Sequence, residues 1–339
     1  MRSTQSPRRD LTRLVTSGCH GRRMALDEQS AALLQALAAM VPQPLEQLSI
    51  ADAREFANGF PVLGSEHVEA VEDVDAALPG RGLRIRLYRP SKGRLPVVLF
   101  FHGGGWTLSS IESYDEVCRQ LANRSGCAVA AVDYRLAPEH KFPAAIDDGT
   151  DAISWLVANA DALGLDATRI AVAGDSAGGN LAAAVALRDR AGGNRRIRFQ
   201  ALIYPVTEYE FERPSMRADW SGYPLSTETV RWFWSHYLPP EANTDDPLIA
   251  PINAPDLSRM PPTLVITAED DPVRDQGEAY AHLLSQNGVD VTLSRYPGVF
   301  HGFFQMLGML KKASQAVQEA GLALRLALDS PEGEIDSSP

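Results

Sequence analysis

The chain alternates short apolar runs with longer stretches of helical character along most of its length. The clearest runs, which contain no charged residue, are 96–101, 128–132, 170–173, 201–203 and 263–267. A strand without a polar side must be covered on both faces, as in a parallel sheet whose crossover connections are helices. Helical stretches at 144–160 and 177–190 lie between these runs. The sequence therefore predicts an α/β fold, with a mostly parallel central sheet and helices on both faces.

Charge and cysteine content narrow the range of partners and compartments. The 339 residues carry 32 basic and 43 acidic side chains, and the resulting net charge of −11 disfavours binding to nucleic acid. No apolar stretch approaches the roughly 20 residues that cross a bilayer, which predicts no membrane span. The three cysteines have neither an even count nor zinc spacing, so we expect a reducing, cytoplasmic compartment.

The two ends and one internal stretch depart from the strand and helix rhythm. Residues 1–23 are rich in arginine and poor in acidic residues, which predicts a disordered extension, with a transit peptide as the alternative. Residues 207–246 hold eight of the 25 aromatic residues and predict an insertion that folds over the sheet as a cap. Within that insertion, four residues share one helical face: Val230, Phe233, Trp234 and Tyr237. The remaining predicted parts are a helical N-terminal part of the cap at 24–60, the α/β body at 61–206 and 247–328, and a disordered tail at 329–339.

One serine lies in a context that favours a nucleophile. The segment Gly174–Gly179 has the sequence Gly-Asp-Ser-Ala-Gly-Gly and connects the run 170–173 to an alanine-rich stretch that begins at Ala177. A sharp turn from strand to helix needs small neighbours and holds its central residue in a strained conformation, exposed above the sheet. This pattern predicts Ser176 as a nucleophile and the Ala177 N–H as a donor to developing negative charge. The alternative is a serine that only caps the helix.

A glycine run strengthens the catalytic interpretation. The residues after the apolar run 96–101 are His-Gly-Gly-Gly-Trp, and such a loop can turn backbone N–H groups towards an oxyanion. We predict Gly104 and Gly105 as donors to that oxyanion. His102 and Gly103 complete the loop, and we expect His102 to support it by hydrogen bonds rather than to act as a base. A dinucleotide fingerprint would need a further glycine, and a phosphate-binding loop would end in Gly-Lys-Ser/Thr.

A serine nucleophile needs a histidine base and a carboxylate that orients this base, both of which should lie downstream in the chain. His301 lies in a turn-rich loop after the predicted strand 291–295, whereas the other two downstream histidines fall in the cap and in a predicted helix. Asp271 precedes a proline, which favours an extended backbone and a side chain that projects from the strand end. We predict His301 as the base and Asp271 as the acid, with Asp270 as the second choice. Asp275 fits the first turn of the following helix.

Five motifs in chain order resemble those of the hormone-sensitive-lipase-like esterases, the bacterial family IV of the α/β-hydrolase superfamily. The motifs are His102–Trp106, Asp133–His140, Gly174–Asn180, Asp271–Asp275 and His301–Phe303. The resemblance implies the α/β-hydrolase fold, with a helical cap built from the N-terminal helices and the insertion. It also implies a catalytic triad of Ser176, Asp271 and His301, with an oxyanion hole at the glycine loop and Ala177.

Together, the residues and the resemblance predict a serine carboxylesterase that forms an acyl-enzyme with short- to medium-chain esters of small molecules. No metal or organic cofactor is needed, and the resemblance implies a homodimer. The aromatic cap favours an enclosed pocket, although the same rings could serve only to hold the cap on the sheet. The residues predicted to bind substrate are Trp106, Asp175, Tyr209, Phe211 and Trp234. The alternatives are an amide or carbamate hydrolase with the same triad, or a non-catalytic small-molecule receptor on the same fold.

Overall fold

A twisted sheet forms the centre of the protein, for which the computed structural model describes residues 26–40, 43–59 and 61–329. Within these residues the sheet has eight strands: β1 (Ala70–Leu78), β2 (Arg81–Arg89), β3 (Leu95–Phe101), β4 (Ala128–Val132), β5 (Leu165–Asp175), β6 (Ile197–Ile203), β7 (Thr263–Asp270) and β8 (Val291–Phe300). Their order across the sheet is β1-β2-β4-β3-β5-β6-β7-β8, and β2 runs against the others. The predicted mostly parallel sheet is confirmed.

The apolar runs became strands because both of their faces are covered. All seven residues of β3 are buried. Val97, Leu99 and Phe101 belong to the apolar core on one face of the sheet, whereas Val98 and Phe100 belong to the core on the other face. Since side chains alternate between the faces of a strand, a run without polar residues is the expected sequence for this position.

Helices cover both faces of this sheet. In the described part of the chain they are α1 (Glu28–Met40), α2 (Ile50–Asn58), α3 (Asp115–Ser125), α4 (Ala144–Ala158), α5 (Ala177–Ala191), α6 (Thr227–Tyr237), α7 (Arg274–Gln286) and α8 (Lys311–Asp329). Helices α4, α5 and α7 contribute to the core on one face, and α3 and α8 contribute to the core on the other. None of the helices in the described ranges combines the length and the apolar composition that crossing a bilayer requires.

Helices α1, α2 and α6, with the segment 206–226 that leads to α6, border a cavity at the carboxyl ends of the parallel strands, and we call them the cap. The four residues predicted to share one helical face lie on α6 and are all buried. Ser226 and Thr229 begin α6 with a reciprocal capping box. The Thr229 hydroxyl also donates to the Glu46 carboxylate at 2.7 Å, which joins α6 to the N-terminal part of the cap.

The end of β8 and the end of α8 differ from the sequence expectation, and both predicted terminal segments lie largely beyond the described residues. The predicted strand 291–295 is too short, because β8 continues to Phe300 and still pairs with β7 after an irregularity in register. The residues in between include Pro297 and Gly298, which indicated a loop. The predicted extension at 1–23 lies outside the described residues, as does the predicted tail at 329–339 except for Asp329, which is the last residue of α8 rather than part of a disordered tail.

Candidate active site

Ser176 lies at the turn between β5 and α5, with φ of 56° and ψ of −118°. A residue other than glycine rarely adopts a positive φ, so the strain that the sequence predicts is present. The turn is tight, because a Cβ at Gly178 would lie 2.0 Å from the Phe101 carbonyl oxygen. Within the described chain the Ser176 side chain makes no capping hydrogen bond, so the helix-capping alternative is wrong. Ala177, a predicted N–H donor, is the first residue of α5.

A chain of three hydrogen-bonded side chains begins at this serine. The Ser176 Oγ lies 2.8 Å from the His301 Nε2, and the His301 Nδ1 lies 2.7 Å from the Asp271 Oδ2. Asp271 is fully buried, and its Oδ1 accepts the backbone N–H of Val273 at 2.8 Å. The imidazole is therefore held between a buried carboxylate and a hydroxyl. In this arrangement it can accept the hydroxyl proton.

The topology of the sheet brings these residues together. Ser176, Asp271 and His301 are each the first residue after a strand, namely β5, β7 and β8. These strands lie in one parallel set with β6, and the carboxyl ends of parallel strands meet at one edge of a sheet. Residues that are 125 positions apart, such as the serine and the histidine, thus come within hydrogen-bond distance.

The structure separates the competing carboxylates after β7. The imidazole is bonded to Asp271, the residue that follows Asp270 at the end of the strand. Asp275 lies in the first turn of α7, as the sequence predicts, and it accepts the backbone N–H of Ser215 at 2.8 Å. It also pairs with Arg274 at 2.8 Å. Asp275 is therefore engaged in structural contacts away from the imidazole.

The glycine loop after β3 borders the same cavity as Ser176. Gly104 and Gly105 have φ values of 106° and 60°, a region of backbone conformation that glycine adopts without steric cost. A Cβ at Gly105 would lie 2.0 Å from the Phe233 ring, so the loop passes directly under α6. The Gly104 carbonyl oxygen is turned into the loop, where it accepts the backbone N–H of Leu108 at 2.8 Å. These contacts restrict the directions in which the loop can present its N–H groups.

His102 supports this loop from below. Its Nδ1 lies 2.7 Å from the Gly103 carbonyl oxygen, and its ring stacks on Tyr134 with the ring centroids 4.4 Å apart. The Tyr134 hydroxyl donates to the His102 carbonyl oxygen at 2.8 Å. Burial lowers the pKa of His102 to about 4, so the ring is neutral at pH 7 and its Nδ1–H donates to Gly103. These contacts match the supporting role expected for His102.

Asp175 reaches the cavity wall, and one oxygen of its carboxylate is bonded within the protein. Its Oδ2 accepts the hydroxyl groups of Tyr114 at 2.9 Å and Tyr204 at 3.2 Å, and the residue is 2% exposed. The Tyr204 ring lies 4.5 Å from the His301 ring, and burial raises the pKa of Asp175 to about 6. Asp175 is predicted to bind substrate; it borders the cavity, and its Oδ2 also holds the two tyrosine rings beside the site. The sequence reasoning missed both tyrosines, although Tyr204 directly follows β6 and so carried the strand-end signal.

A cavity of about 940 Å³ lies between Ser176 and the cap. Four of the five predicted pocket residues line it, namely Trp106, Asp175, Phe211 and Trp234. Tyr209 is not among the lining residues, because its ring packs edge-on against two of these aromatic rings and is 41% exposed. Helices α1 and α2 contribute Leu37 and Phe56 to the wall, which no motif in the sequence indicated.

Aromatic rings both bound the cavity and hold the cap on the body. Trp106 of the glycine loop stacks on Tyr237 of α6, with the ring centroids 4.4 Å apart and the planes at 5°. It also contacts Trp234 at 4.5 Å, and all three residues are buried. Because Trp106 and Trp234 line the cavity as well, the two interpretations of the aromatic cluster apply to the same residues.

Comparison with known proteins agrees with this architecture. A family model described as the alpha/beta hydrolase fold matches residues 98–305. An ethyl acetate hydrolase from Pseudomonas putida is 42% identical over 245 residues, which cover 70% of this chain and 76% of that protein. The carboxylesterase NlhH from Mycobacterium tuberculosis is 41% identical over 250 residues, which cover 72% and 78%. The solved structure of a hyperthermophilic esterase from Pyrobaculum calidifontis has a TM-score of 0.85 and 41% identity, and covers 89% of this chain and 99% of that one.

The matched region contains the elements that form the site. It begins within β3 and ends after β8, so it includes the glycine loop, Ser176, Asp271 and His301. The fold and the family that the five motifs predict are confirmed. The chain belongs to the hormone-sensitive-lipase-like esterases of the α/β-hydrolase fold and is a carboxylic ester hydrolase.

Proposed function

We propose that the protein hydrolyses carboxylic esters in two steps through an acyl-enzyme on Ser176, with His301 as general base and acid and Asp271 as the residue that orients it. The observation that carries this proposal is the unbroken contact from the Ser176 Oγ through the imidazole to the Asp271 carboxylate, at 2.8 and 2.7 Å. Ser176 and His301 also line the cavity. A non-catalytic receptor would not need a buried carboxylate behind this imidazole.

In the first step, the His301 Nε2 accepts the Ser176 hydroxyl proton as the Oγ forms a bond to the ester carbonyl carbon. The carbonyl electron pair moves to the oxygen, which the N–H groups of Gly104, Gly105 and Ala177 stabilise. The bond from carbon to the alcohol oxygen then breaks. The protonated imidazole transfers its proton to that oxygen, and the alcohol leaves with the acyl group bound to Ser176.

In the second step, water takes the place of the alcohol. His301 accepts a proton from the water as its oxygen attacks the acyl carbon, and it returns this proton to the Ser176 Oγ as the acid leaves. Asp271 stays ionised throughout, holds the Nδ1–H tautomer and stabilises the imidazolium ion that forms. Burial of Asp271 favours this role, because its attraction to the imidazolium is poorly screened by water.

The helix that follows the serine supports the same charge development. Helix α5 spans 15 residues, Ala177–Ala191, and its N-terminal end faces the elbow. Its first N–H groups have no partner within the helix, and the aligned peptide dipoles give this end a partial positive charge. An oxyanion beside Ala177 is therefore stabilised by the helix terminus as well as by the glycine loop.

We assign short- to medium-chain acyl esters as the substrates. Buried rings of Trp106 and Trp234 bound the cavity next to the glycine loop, so a long acyl chain directed towards them meets a fixed wall. The similarity to a protein named ethyl acetate hydrolase supports the same class. The test is a series of esters with one alcohol and acyl chains from acetyl to lauroyl. A specificity constant that does not decline towards lauroyl would contradict this assignment.

The decisive experiment on the mechanism replaces the serine. We expect Ser176→Ala to lower kcat/KM by at least about 10³-fold while the fold is kept, since the nucleophile is lost and the cavity is unchanged. A fluorophosphonate should modify the wild-type protein on the peptide that contains Ser176 and leave the variant unmodified. Ser154→Ala, on the exposed side of α4, is the matched control and should behave as wild type. Near-normal hydrolysis by Ser176→Ala would refute the proposed nucleophile.

A further inference from the structure

We propose that Thr107 is a positioning residue that sets the orientation of the Gly105 peptides in the glycine loop, and that Arg54 of the cap helix α2 holds Thr107 in place. This role presupposes the proposed oxyanion hole, in which the Gly105 N–H is a donor. Neither residue touches the reacting atoms. Their effect on the reaction would be exerted through the backbone of the loop.

Thr107 bonds the peptide planes on both sides of the Gly105 Cα. Its backbone N–H donates to the Gly104 carbonyl oxygen at 3.1 Å, and its Oγ1 donates to the Gly105 carbonyl oxygen at 2.9 Å. A peptide unit is planar, so the Gly104 carbonyl and the Gly105 N–H point in opposite directions from one rigid plate. The Leu108 N–H donates to the same oxygen at 2.8 Å, so the two backbone donors together fix the direction of the Gly105 N–H. The hydroxyl bond fixes the following plate and so restrains ψ of Gly105.

This restraint is needed because the loop is built from glycine. Gly105 has a φ of 60°, and without a side chain it can change its backbone conformation with little steric resistance. Phe233 packs against it from the cap and blocks a Cβ, so no larger residue can take over the restraint at this position. A hydrogen bond from the neighbouring threonine restrains the backbone without occupying that space.

Arg54 anchors the other side of Thr107. Its Nε donates to the Thr107 carbonyl oxygen at 2.9 Å, and its Nη2 donates to the Ala137 carbonyl oxygen at 2.9 Å. The two terminal nitrogens also bond both oxygens of Glu139, at 2.8 and 2.7 Å. A planar guanidinium makes these contacts together, whereas a lysine ammonium cannot. The bond between Arg54 and Thr107, which are 53 positions apart, thus joins the N-terminal part of the cap to the glycine loop.

Burial separates this role from substrate binding. Thr107 is fully buried and is not among the residues that line the cavity, although Trp106 and Leu108 on either side of it are. Removing its hydroxyl therefore leaves the cavity surface unchanged. Oxyanion donors act mainly on the transition state, so a misdirected Gly105 N–H lowers kcat and leaves KM nearly unchanged.

Thr107→Val tests the inference because it removes the hydroxyl and keeps the shape of the side chain. We expect kcat to fall about 10-fold, less than the loss of a whole oxyanion donor, with KM within about twofold of wild type. A trifluoromethyl ketone, which forms a tetrahedral adduct, should bind more weakly by the same factor as kcat/KM falls. Thr107→Ser should restore both values. Thr150→Val, which removes a comparable hydroxyl bond to a helix carbonyl in α4, is the matched control and should match wild type.

Arg54→Lys gives an independent measurement if Thr107→Val does not fold. It keeps the positive charge near Glu139 but loses the bond geometry at Thr107, so kcat should fall about threefold or more with KM unchanged. Arg94→Lys, at an exposed ion pair with Asp161, is its control. Since both positions act on one loop, the combined variant should lose less than the product of the two single losses.

The outcomes distinguish this inference from the proposed function. Wild-type kcat and ketone affinity in Thr107→Val, while Ser176→Ala is inactive, would overturn the inference alone. A change confined to KM, or a failure of Thr107→Ser to restore kcat, would also overturn it. Full activity in Ser176→Ala would instead overturn the proposed mechanism.

Discussion

The sheet and the cap contribute to the site in different ways. The sheet supplies Ser176, Asp271 and His301, each directly after a parallel strand. The cap supplies the roof of the cavity and packs Phe233 of α6 against Gly105. These three side chains are positioned by a ladder of backbone hydrogen bonds, whereas the cavity is shaped by side-chain packing. Changes in the sheet half should therefore alter the rate of ester hydrolysis, and changes in the cap side chains that line the cavity should alter which ester is accepted.

The two halves also differ in how they are held. Adjacent strands of the sheet share a continuous register from β3 to β8, apart from local irregularities. The cap is joined to the body by separate contacts, such as the stack of Trp106 on Tyr237 and the backbone N–H of Phe142 that donates to the Tyr237 carbonyl oxygen at 2.9 Å. A packed side chain can be exchanged with local effect, whereas a strand cannot shift without moving its neighbours.

The prediction with the largest effect concerns Asp271 in the sheet half. We expect Asp271→Asn to lower kcat/KM by about 10³- to 10⁴-fold, because the amide favours the wrong tautomer of His301 and cannot stabilise the imidazolium ion. Steady-state kinetics with a short ester measures the loss. Asp275→Asn, four residues away in the first turn of α7, is the matched control and should stay within about fivefold of wild type. If kcat/KM of Asp271→Asn fell by less than tenfold, the sheet half would not control the rate of hydrolysis as the comparison with the cap requires.

A second carboxylate in the sheet half should affect stability. The Asp175 pKa rises from 3.8 to about 6 through burial, so between these values the folded protein binds more protons than the unfolded chain. The stability of the wild type relative to Asp175→Asn should therefore fall by on the order of 3 kcal/mol as pH rises from about 4 to 6, and it should stay level above pH 6. Urea unfolding at several pH values measures this difference.

The control for that titration is Asp161→Asn, because the Asp161 side chain is 88% exposed. We expect its stability difference from wild type to be nearly constant over the same pH range. If the stability difference between wild type and Asp175→Asn were also constant, or grew in favour of wild type as pH rises, burial would not raise the pKa of Asp175.

The prediction with the smallest effect concerns Trp234 in the cap half. Trp234→Leu should enlarge the cavity beside the glycine loop and raise kcat/KM for a long acyl chain, relative to acetyl, by about 10-fold. Trp232→Leu changes the same residue type on the same helix at a position that does not line the cavity, and should leave the chain-length profile unchanged. If both variants gave the wild-type profile, the aromatic wall would not limit acyl length and the cap would serve only as a cover.

Much of the sheet half could be predicted from the sequence because its signals are local. Apolar runs mark strands buried on both faces, small residues around Ser176 mark a tight turn, and the proline after Asp271 separates it from Asp270. The supporting shell gave no such signal. Tyr114 lies in a loop without a motif, and only the fold brings its hydroxyl to Asp175 at 2.9 Å.

The cap was less predictable, and for the same reason. Its aromatic helix was visible from the spacing of Val230, Phe233, Trp234 and Tyr237, but spacing does not say which rings meet the cavity. Tyr209 belongs to the same aromatic cluster and is not part of the wall, whereas Leu37 of α1 is. The contribution of each side chain depends on how the cap settles on the body, which involves contacts between residues far apart in the chain.

The amino-acid order alone determined the α/β sheet, the strained turn at Ser176 and the chain order of serine, acid and histidine, because each depends on residue types within a few positions. Only the tertiary structure decided which groups support them, such as the contact of Arg54 with Thr107 across 53 residues. A hydrogen bond between distant residues leaves no periodic or compositional pattern in a single sequence. Its partners become visible once the chain has folded.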